Sequence, residues 1–421
     1  MFDFPEFFRI RQRFPRPREK DLPGAVRRAL DTAGLRSRIQ PNQSVALTVG
    51  SRGIANIATI ARHAVDYCKD LGARPFIVPA MGSHGGATPQ GQLGVLERYG
   101  VTPDSMGCEI RSSMDVIEVC RAPEGFPVYF DRNASEADHV LVMNRVKSHT
   151  RFTGPIESGL MKMMLIGLGK QHGANVYHRV IMNYSFDQIV RSVARVVIDR
   201  CKVVGGLAIL ENGYEETAEL VGLPPDKIET GEPELLRRVQ AWAPRLPADN
   251  IELLIVDRIG KEISGAGMDT NVIGRKYNDH SATGDETPSI HTIYIRGLTH
   301  ETHGNATGLG IAELCHKRLV DEMDEHSTRM NCLTAGHVTA AMRPLDFPND
   351  REALDNAVKI GGMCEPRDLP AMWIQDTLHI EEIECSRVYY STLQQRDNVE
   401  ILTGPRPVEF DSQGDLVPRF S

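Results

Sequence analysis

Hydrophobic and polar positions alternate along the chain in a repeating order of strand, turn and helix. Residues 44 to 54 (SVALTVGSRGI) form a short apolar run that predicts a strand ending in a glycine-containing turn. Residues 54 to 72 then carry apolar side chains at helical spacing and stop at Gly72, a common helix terminator. The same order recurs over residues 73 to 100. Strand, turn and helix in this repeating order predict an α/β sheet, whose ligands bind at the carboxyl ends of its strands.

Further apolar patterns extend this prediction along the chain. Helical periodicity predicts helices over residues 20–40, 185–201, 233–246 and 310–324. Apolar runs predict strands over residues 108–112, 115–121, 127–132, 139–146 and 202–213, and later over 250–256, 291–298, 372–377 and 381–386.

The chain length of 421 residues predicts two domains, both of the α/β class. We place the boundary close to the polar stretch KYNDHSATGDETPS, which is poor in apolar residues. The prediction is a larger N-terminal domain over residues 1–265 and a smaller C-terminal domain over 266–395, with a cleft between them. Residues 396–421 are predicted to form a tail that is either irregular or a late strand returning to the core.

Composition narrows the class of protein. Hydrophobic residues make up 41% and charged residues 25%, which is typical of a globular protein. The net charge of -8 argues against general binding to nucleic acid or to an anionic membrane. No stretch approaches the roughly 18 apolar residues that span a bilayer, and the N-terminus lacks the apolar run of a secretory signal. Eight scattered cysteines without a CxxC pair favour reduced thiols and a cytoplasmic location.

Candidate chemistry is concentrated between Val146 and His178. This stretch places His149, Lys162 and His178 among glycines, methionines and leucines, which suggests a lined pocket. The alternative is a buried helix with incidental histidines, and the segment MKMMLIGLGK is predicted to line a core. Two more candidates, Arg52 and His84, follow earlier predicted strands.

Several common catalytic motifs are missing from the sequence. It has no HExxH, no GxSxG and no Walker P-loop, and its glycine turns GSRG and GSHGG do not match GxGxxG. Histidines with a lysine and an arginine, but without nearby clusters of acidic residues, are unusual for a metallohydrolase.

The order of these candidates resembles the nickel-dependent lactate racemase family, whose members carry a nickel-pincer nucleotide. Ser51-Arg52-Gly53 is similar to that family's strand-end Thr-Arg-Pro, and Gly82-Ser83-His84 is similar to its Gly-Thr-His turn. A second histidine followed by a glycine- and serine-rich segment and a lysine is matched by His149 through Lys162. The family's nickel-ligating histidine falls at His178. Val49 and Gly53 depart from the family pattern beside the expected substrate, so the resemblance implies a broader 2-hydroxyacid specificity than lactate.

The resemblance also implies a role for each residue. His84 and His149 would be the acid/base pair, one for each enantiomer, because the pKa of histidine lies close to working pH. Arg52 would bind the substrate carboxylate. Cofactor contacts are expected from Lys162, which could be covalently attached, and from Ser83 and Gly159. His178 would ligate nickel, with His172 as the alternative ligand.

In the second predicted domain, the glycine-rich polar loop GAGMDTNVIGR could face the cleft and help to select the substrate. Lys261, Asp269, Asn271, Arg275 and Lys276 lie in or beside this loop. The alternative is a surface loop with ordinary turn chemistry.

The predicted function is therefore an isomerase, a racemase or epimerase of a 2-hydroxyacid. Its cofactor would be the nickel-pincer nucleotide, nickel pyridinium-3,5-bisthiocarboxylic acid mononucleotide, and its partners the hydroxyacid substrate and the cofactor-biosynthesis proteins. Hydride would leave the substrate and return to the opposite face. One alternative is a non-catalytic protein on the same scaffold that binds a nucleotide or an organic anion; another is a metal-dependent hydrolase. The oligomeric state stays open, with a homo-oligomer among the alternatives.

Overall fold

The chain was examined as a computed structural model, which describes residues 3–51, 53–361 and 364–420. The fold is mixed α/β, and the residues group into two compact units. One unit is Pro15–Ala243. The other joins the N-terminal residues up to Phe14 with the chain from Pro244 onward. The first strand, β1 (Phe7–Gln12), therefore belongs to the second unit.

The unit Pro15–Ala243 contains the strands β2 (Ser44–Val49), β3 (Arg74–Pro79), β4 (Val116–Arg121), β5 (Pro127–Asp131), β6 (His139–Val146), β7 (Val203–Glu211) and β8 (Thr217–Leu223). Its helices are α1 (Leu22–Thr32), α2 (Leu35–Arg38), α3 (Ile57–Asp70), α4 (Pro89–Arg98), α5 (Pro103–Met106), α6 (Arg132–Glu136), α7 (Leu160–Lys162), α8 (Lys170–Val180), α9 (Phe186–Arg200) and α10 (Ile228–Trp242). A π-helical turn, Met163–Gly167, lies between α7 and α8.

The main sheet of this unit runs in the order β3-β2-β6-β7-β8. Strands β3, β2, β6 and β7 are parallel, and β8 is antiparallel to β7. Successive side chains of a strand point to opposite faces of the sheet. A parallel sheet is normally covered by other elements on both of these faces. On β6, Val140 and Val142 face one buried apolar cluster, whereas Leu141 and Met143 face a second one. The sheet is thus covered by apolar side chains on both faces.

The second unit continues with the strands β9 (Asn250–Val256), β10 (Ser289–Ile295), β11 (Leu314–His316), β12 (Leu345–Phe347), β13 (Ala371–Ile374), β14 (Glu382–Ser386) and β15 (Val399–Ile401). Its helices are α11 (Lys317–Glu322), α12 (Glu325–Ala335), α13 (Asp350–Ile360) and α14 (Tyr390–Leu393). The sheet runs in the order β12-β11-β10-β9-β13-β14-β1-β15. Strands β9 to β13 pair in parallel, whereas β1 pairs antiparallel with both β14 and β15.

Polar side chains cap the first turns of two helices in the unit Pro15–Ala243. The side chain of Ser185 accepts a hydrogen bond from the Gln188 amide and starts α9, a helix of 15 residues. Thr88 accepts a hydrogen bond from the Gly91 amide and starts α4 in the same way.

Among the residues that the structure describes, no helix combines the length and the apolar character needed to cross a bilayer.

The grouping into units differs from the predicted division at residues 265 and 266. Strand β9, predicted to lie in the first domain, pairs with β10 and β13 inside the second sheet. The polar stretch that suggested a boundary is part of the connection between β9 and β10. Strand β1 joins the second sheet by pairing with β14, far along the sequence, and strand β15 places part of the predicted tail in the same sheet.

Two predicted elements are wrong in detail. The helix predicted over residues 310–324 begins instead with a 3-10 turn, then forms strand β11 and only afterwards the short helix α11. All three residues of β11 are buried, and a short fully buried strand cannot be told from a helix by periodicity. The strand predicted over residues 108–112 is reduced to a single bridge between Ile77 and Ile110.

Candidate functional site

The predicted site residues follow neighbouring parallel strands at their carboxyl ends. Ser51 comes after β2, Ser83 and His84 come after β3, and His149 comes after β6. Strand β2 lies between β3 and β6 in the sheet. The loops that carry His84 and His149 therefore leave the sheet on either side of the loop that follows β2, at the edge where α/β sheets bind ligands.

His84 lies on a glycine turn above the end of β3. Its Nδ1 atom is hydrogen-bonded to the Ser51 hydroxyl, and its residue is exposed. Because a hydroxyl can donate or accept, the imidazole can carry its proton on either ring nitrogen. The turn itself packs closely on α4: Gly85 has a φ of +67°, and a Cβ there would lie 2.6 Å from the Gln92 amide nitrogen.

His149 is held by backbone donors instead of a hydroxyl. Its Nδ1 atom accepts hydrogen bonds from the amides of Arg151 and Phe152, each at 3.1 Å. Amide groups can only donate, so the neutral ring carries its proton on Nε2. The His149 amide in turn donates to the buried carboxylate of Glu157 at 2.7 Å. This loop therefore fixes both the position and the tautomer of the ring.

An aromatic cluster brings three of the predicted residues together. The rings of His149 and Phe152 are stacked with centroids 3.8 Å apart, and the Lys162 Nζ lies 5.0 Å from the centroid of Phe152. Tyr177 contacts Phe152 edge-on at 5.6 Å and lies at the same centroid distance from His178. His149, Lys162 and His178 are thereby linked through two aromatic side chains.

The environment of this cluster affects its titration and hydrogen bonding. Desolvation lowers the pKa of His178, which favours the neutral imidazole at neutral pH. Burial raises the pKa of Tyr177, so its phenol stays protonated. The Tyr177 hydroxyl is buried and has no hydrogen-bond partner within the described residues. It is a polar group that a ligand could satisfy.

The segment that carries Lys162 is anchored by the buried side chain of Glu232. One carboxylate oxygen of Glu232 accepts from the Met161 amide at 3.0 Å. The other lies opposite Gly159, where a Cβ would come within 2.4 Å of it. Burial raises the pKa of Glu232 to about 7. Close contact with this carboxyl accounts for the glycine at position 159.

Arg52, the predicted substrate-binding residue, lies outside the described residues. The chain on both sides of it is anchored: the Tyr99 hydroxyl donates to the Ser51 carbonyl at 2.8 Å and accepts from the Gly53 amide at 3.1 Å. Further on, the Ala55 amide donates to Glu211, which is paired with Arg145.

The fold is similar to that of a solved lactate racemase. The apoprotein of lactate racemase from Thermoanaerobacterium thermosaccharolyticum matches with a TM-score of 0.52 and 14% sequence identity, covering 82% of this chain and 89% of that one. At this identity the match shows a shared fold. Neither the protein-family models nor the curated proteins gave a match.

His172, the alternative predicted nickel ligand, contacts a different aromatic ring from His178. Its ring is 5.6 Å from that of Tyr129 on β5, whereas His178 lies beside Tyr177. Tyr177, the neighbour of His178, also contacts Phe152, which stacks on His149. Most side chains of the methionine-rich segment MKMMLIGLGK are buried, which confirms the prediction that this segment lines the core.

The glycine-rich loop of the second unit contains a structural arginine. Arg275 is fully buried and donates to the carbonyls of Ile290 and Ile311 and to the carboxylate of Glu313. A side chain so enclosed holds the loop together and cannot touch a substrate. Lys261 donates to Asn331 at 3.0 Å within the same unit.

A possible metal cluster in the second unit consists of His316, Asp350 and Asp415. Asp350 already accepts hydrogen bonds from Tyr294 and from two nitrogens of Arg296. Phenol and guanidinium donors already occupy both of its oxygens, as expected for a buried charge network. It lends no support to a hydrolase that depends on a metal at this place.

Sequence reasoning missed four side chains that shape the site: Phe152, Glu157, Tyr177 and Glu232. None of them stands in a motif, because each acts through a contact that only the fold creates. Glu232 comes just before the predicted helix over residues 233–246, and its position in the sequence does not indicate burial. One usable signal was the density of aromatic residues around the two histidines, since Phe152, Tyr177 and Phe186 all fall within or just after the His149–His178 stretch.

Proposed function

We propose that the chain is a racemase or epimerase of a 2-hydroxyacid that uses the nickel-pincer nucleotide. One observation carries the proposal: His149, Lys162 and His178 gather around Phe152 and Tyr177 at the carboxyl edge of the sheet. The likeness in fold to a lactate racemase apoprotein supports the same class of reaction.

The side chains present fit the cofactor that this function needs. His178 offers an imidazole whose lowered pKa keeps it neutral, the form that ligates nickel. The half-buried amine of Lys162 lies beside the same aromatic pair. The unsatisfied Tyr177 hydroxyl adds a buried donor. When bound, the nucleotide would supply a hydride acceptor, and Lys162, Ser83 and Gly159 would hold it while His178 binds its nickel.

Two histidines on opposite sides of the loop that follows β2 suit a reaction that converts each of two enantiomers into the other. His84 can accept the hydroxyl proton at Nε2 when Ser51 accepts the proton on Nδ1. His149 presents a proton on Nε2 and is suited to donate a hydrogen bond to the substrate oxygen. For His149 to act as a base, the amides of Arg151 and Phe152 must first release Nδ1. Arg52 would bind the carboxylate through its two-pronged guanidinium.

A panel of chiral 2-hydroxyacids, from lactate to sugar acids, tests the proposal. The full-length chain should be produced together with the cofactor-biosynthesis proteins, and each pure enantiomer then followed by chiral chromatography. We expect at least one acid to reach the same enantiomer ratio from both directions. Mass spectrometry of the same sample should show the cofactor, with any covalent adduct located on Lys162.

Two other outcomes would replace the proposal. Tight binding of an acid or nucleotide without any change of configuration would favour a carrier on the same scaffold. Hydrolytic activity that requires only added zinc or manganese would favour a hydrolase. A Lys162→Met variant serves as the loading control, since it should retain the fold but bind less cofactor.

A further inference from the structure

Three polar side chains are completely buried beneath the His84 turn. Lys170, Asp131 and Gln92 each have 0% of their surface exposed. They come from different elements: Lys170 begins α8, Asp131 ends β5 and Gln92 lies in the first turn of α4. Buried charged and polar groups of this kind require mutual partners.

The contacts of these side chains form a continuous chain. The Lys170 Nζ lies 2.9 Å from an Asp131 carboxylate oxygen and donates to the Gln92 side-chain oxygen at 3.3 Å. It also donates to the carbonyl of Pro79, the last residue of β3. The Gln92 side-chain nitrogen then donates to the carbonyl of Gly82 at 3.1 Å and to that of His84 at 3.4 Å.

Burying these polar side chains would cost free energy without any benefit if they served only to fill space. Taking a lysine and an aspartate out of water carries a large desolvation penalty, and apolar residues of similar volume often serve as well for stability. Lys170 also has a φ of +53°, a backbone conformation that disfavours a side chain. Both costs point to a requirement for these polar contacts at this place.

The chain of contacts connects two parts of the candidate site. At one end are the carbonyls of the turn that carries His84. At the other end is the first residue of α8, the helix that carries Tyr177 and His178. We propose that Lys170 and Gln92 are positioning residues that hold the His84 turn at a set place relative to the helix of His178. Enclosed as they are, neither side chain touches substrate or cofactor.

This inference deepens the proposed function, on which it rests for the roles of His84 and His178. Its physical content is a coupling between two backbone segments, which can be measured in the absence of substrate and cofactor. A failure of the coupling is therefore distinguishable from a failure of the racemase proposal.

Amide hydrogen exchange of the full-length chain, read by mass spectrometry, tests the coupling. Gln92→Leu removes both bonds to the turn and keeps the ion pair. We expect exchange of the amides of residues 82–88 to become about tenfold faster, as for the loss of one or two hydrogen bonds. Residues 170–180 should stay unchanged. The double variant Lys170→Met with Asp131→Asn removes the charges together and should accelerate both segments.

A control is the double variant Arg275→Met with Glu313→Gln, which removes an ion pair between a buried arginine and a partly buried glutamate in the second unit. It should leave both segments as they are. Modification of His84 by diethyl pyrocarbonate, relative to the exposed His172, should change in Gln92→Leu and not in the control. The proposal is overturned if the turn exchanges normally in Gln92→Leu, or if that variant accelerates exchange evenly throughout Pro15–Ala243. Because Gln92→Leu keeps the charges paired, it provides this answer even where the double variant does not fold.

Discussion

The two candidate acid/base residues lie on either side of the same loop and are held in different ways. His84 stands on an exposed turn and bonds to a hydroxyl, a partner that can reverse its role. His149 is fixed by two amides and by stacking on Phe152. Similar positions at a sheet edge therefore do not imply similar chemistry. The hydrogen-bond partner of Nδ1 determines whether Nε2 carries a proton or is able to accept one.

Replacing either histidine should have the largest effect. His84→Gln and His149→Gln should each lower the racemisation rate of cofactor-loaded protein by about 10²- to 10⁴-fold, the usual contribution of a positioned acid or base. The rate is measured by chiral chromatography from both enantiomers. His326→Gln, an exposed histidine of the second unit, is the control. Full activity in both site variants would show that neither histidine handles the substrate proton.

Glu232, which anchors the segment that carries Lys162, should make the stability of the chain depend on pH. Its pKa is about 7 in the folded chain and 4.5 when unperturbed, so the folded state binds more protons between these values. Stability should therefore fall as the pH rises from about 4.5 to 7, by about 3 kcal/mol from this group, and level off above. Glu232→Gln should remove that part of the slope in denaturant titrations. An identical slope in both proteins would mean that Glu232 is ionised at little cost.

Phe152 belongs to the His149 side of the site, where its ring contacts both His149 and Lys162. Phe152→Leu should cost about 1–2 kcal/mol of unfolding free energy, from the lost ring stacking and the lost contact with the amine. Phe410→Leu is a matched control, since Phe410 also contacts an aromatic ring and an arginine. Denaturant unfolding measures both. Cofactor loading should decrease only in Phe152→Leu, and equal loading in both variants would contradict the link between Phe152 and Lys162.

The smallest effect is expected at Ser51. Ser51→Ala removes the reversible partner of His84 and should slow racemisation a few-fold, about 1 kcal/mol or less, with little change in stability. Ser37→Ala, which changes another exposed serine, should leave the rate unchanged. If Ser51→Ala racemises the substrate as fast as the unmodified chain, the hydroxyl does not assist the His84 imidazole.

The sequence was a good guide to local structure where one periodicity dominated. Strand β6 spans the same residues, 139 to 146, that its apolar run predicts. Strand pairing over long sequence separations could not be predicted, because the local sequence of β1 does not identify β14 as its partner. The same limit applies to the site. His149 and His178 could be picked out by residue type, whereas no motif in the sequence connects Lys170 with the site. Its burial depends on Asp131 and Gln92, which reach it only through the fold.

The fate of the hydrogen at C2 of the substrate tests the proposed reaction most directly. One enantiomer of a substrate found in the hydroxyacid panel is racemised by cofactor-loaded protein in D₂O, and the product is analysed by mass spectrometry. Transfer of a hydride predicts that the opposite enantiomer keeps its original hydrogen at C2. Incorporation of deuterium at C2 in step with racemisation would contradict the proposal and would point to deprotonation of the carbon instead.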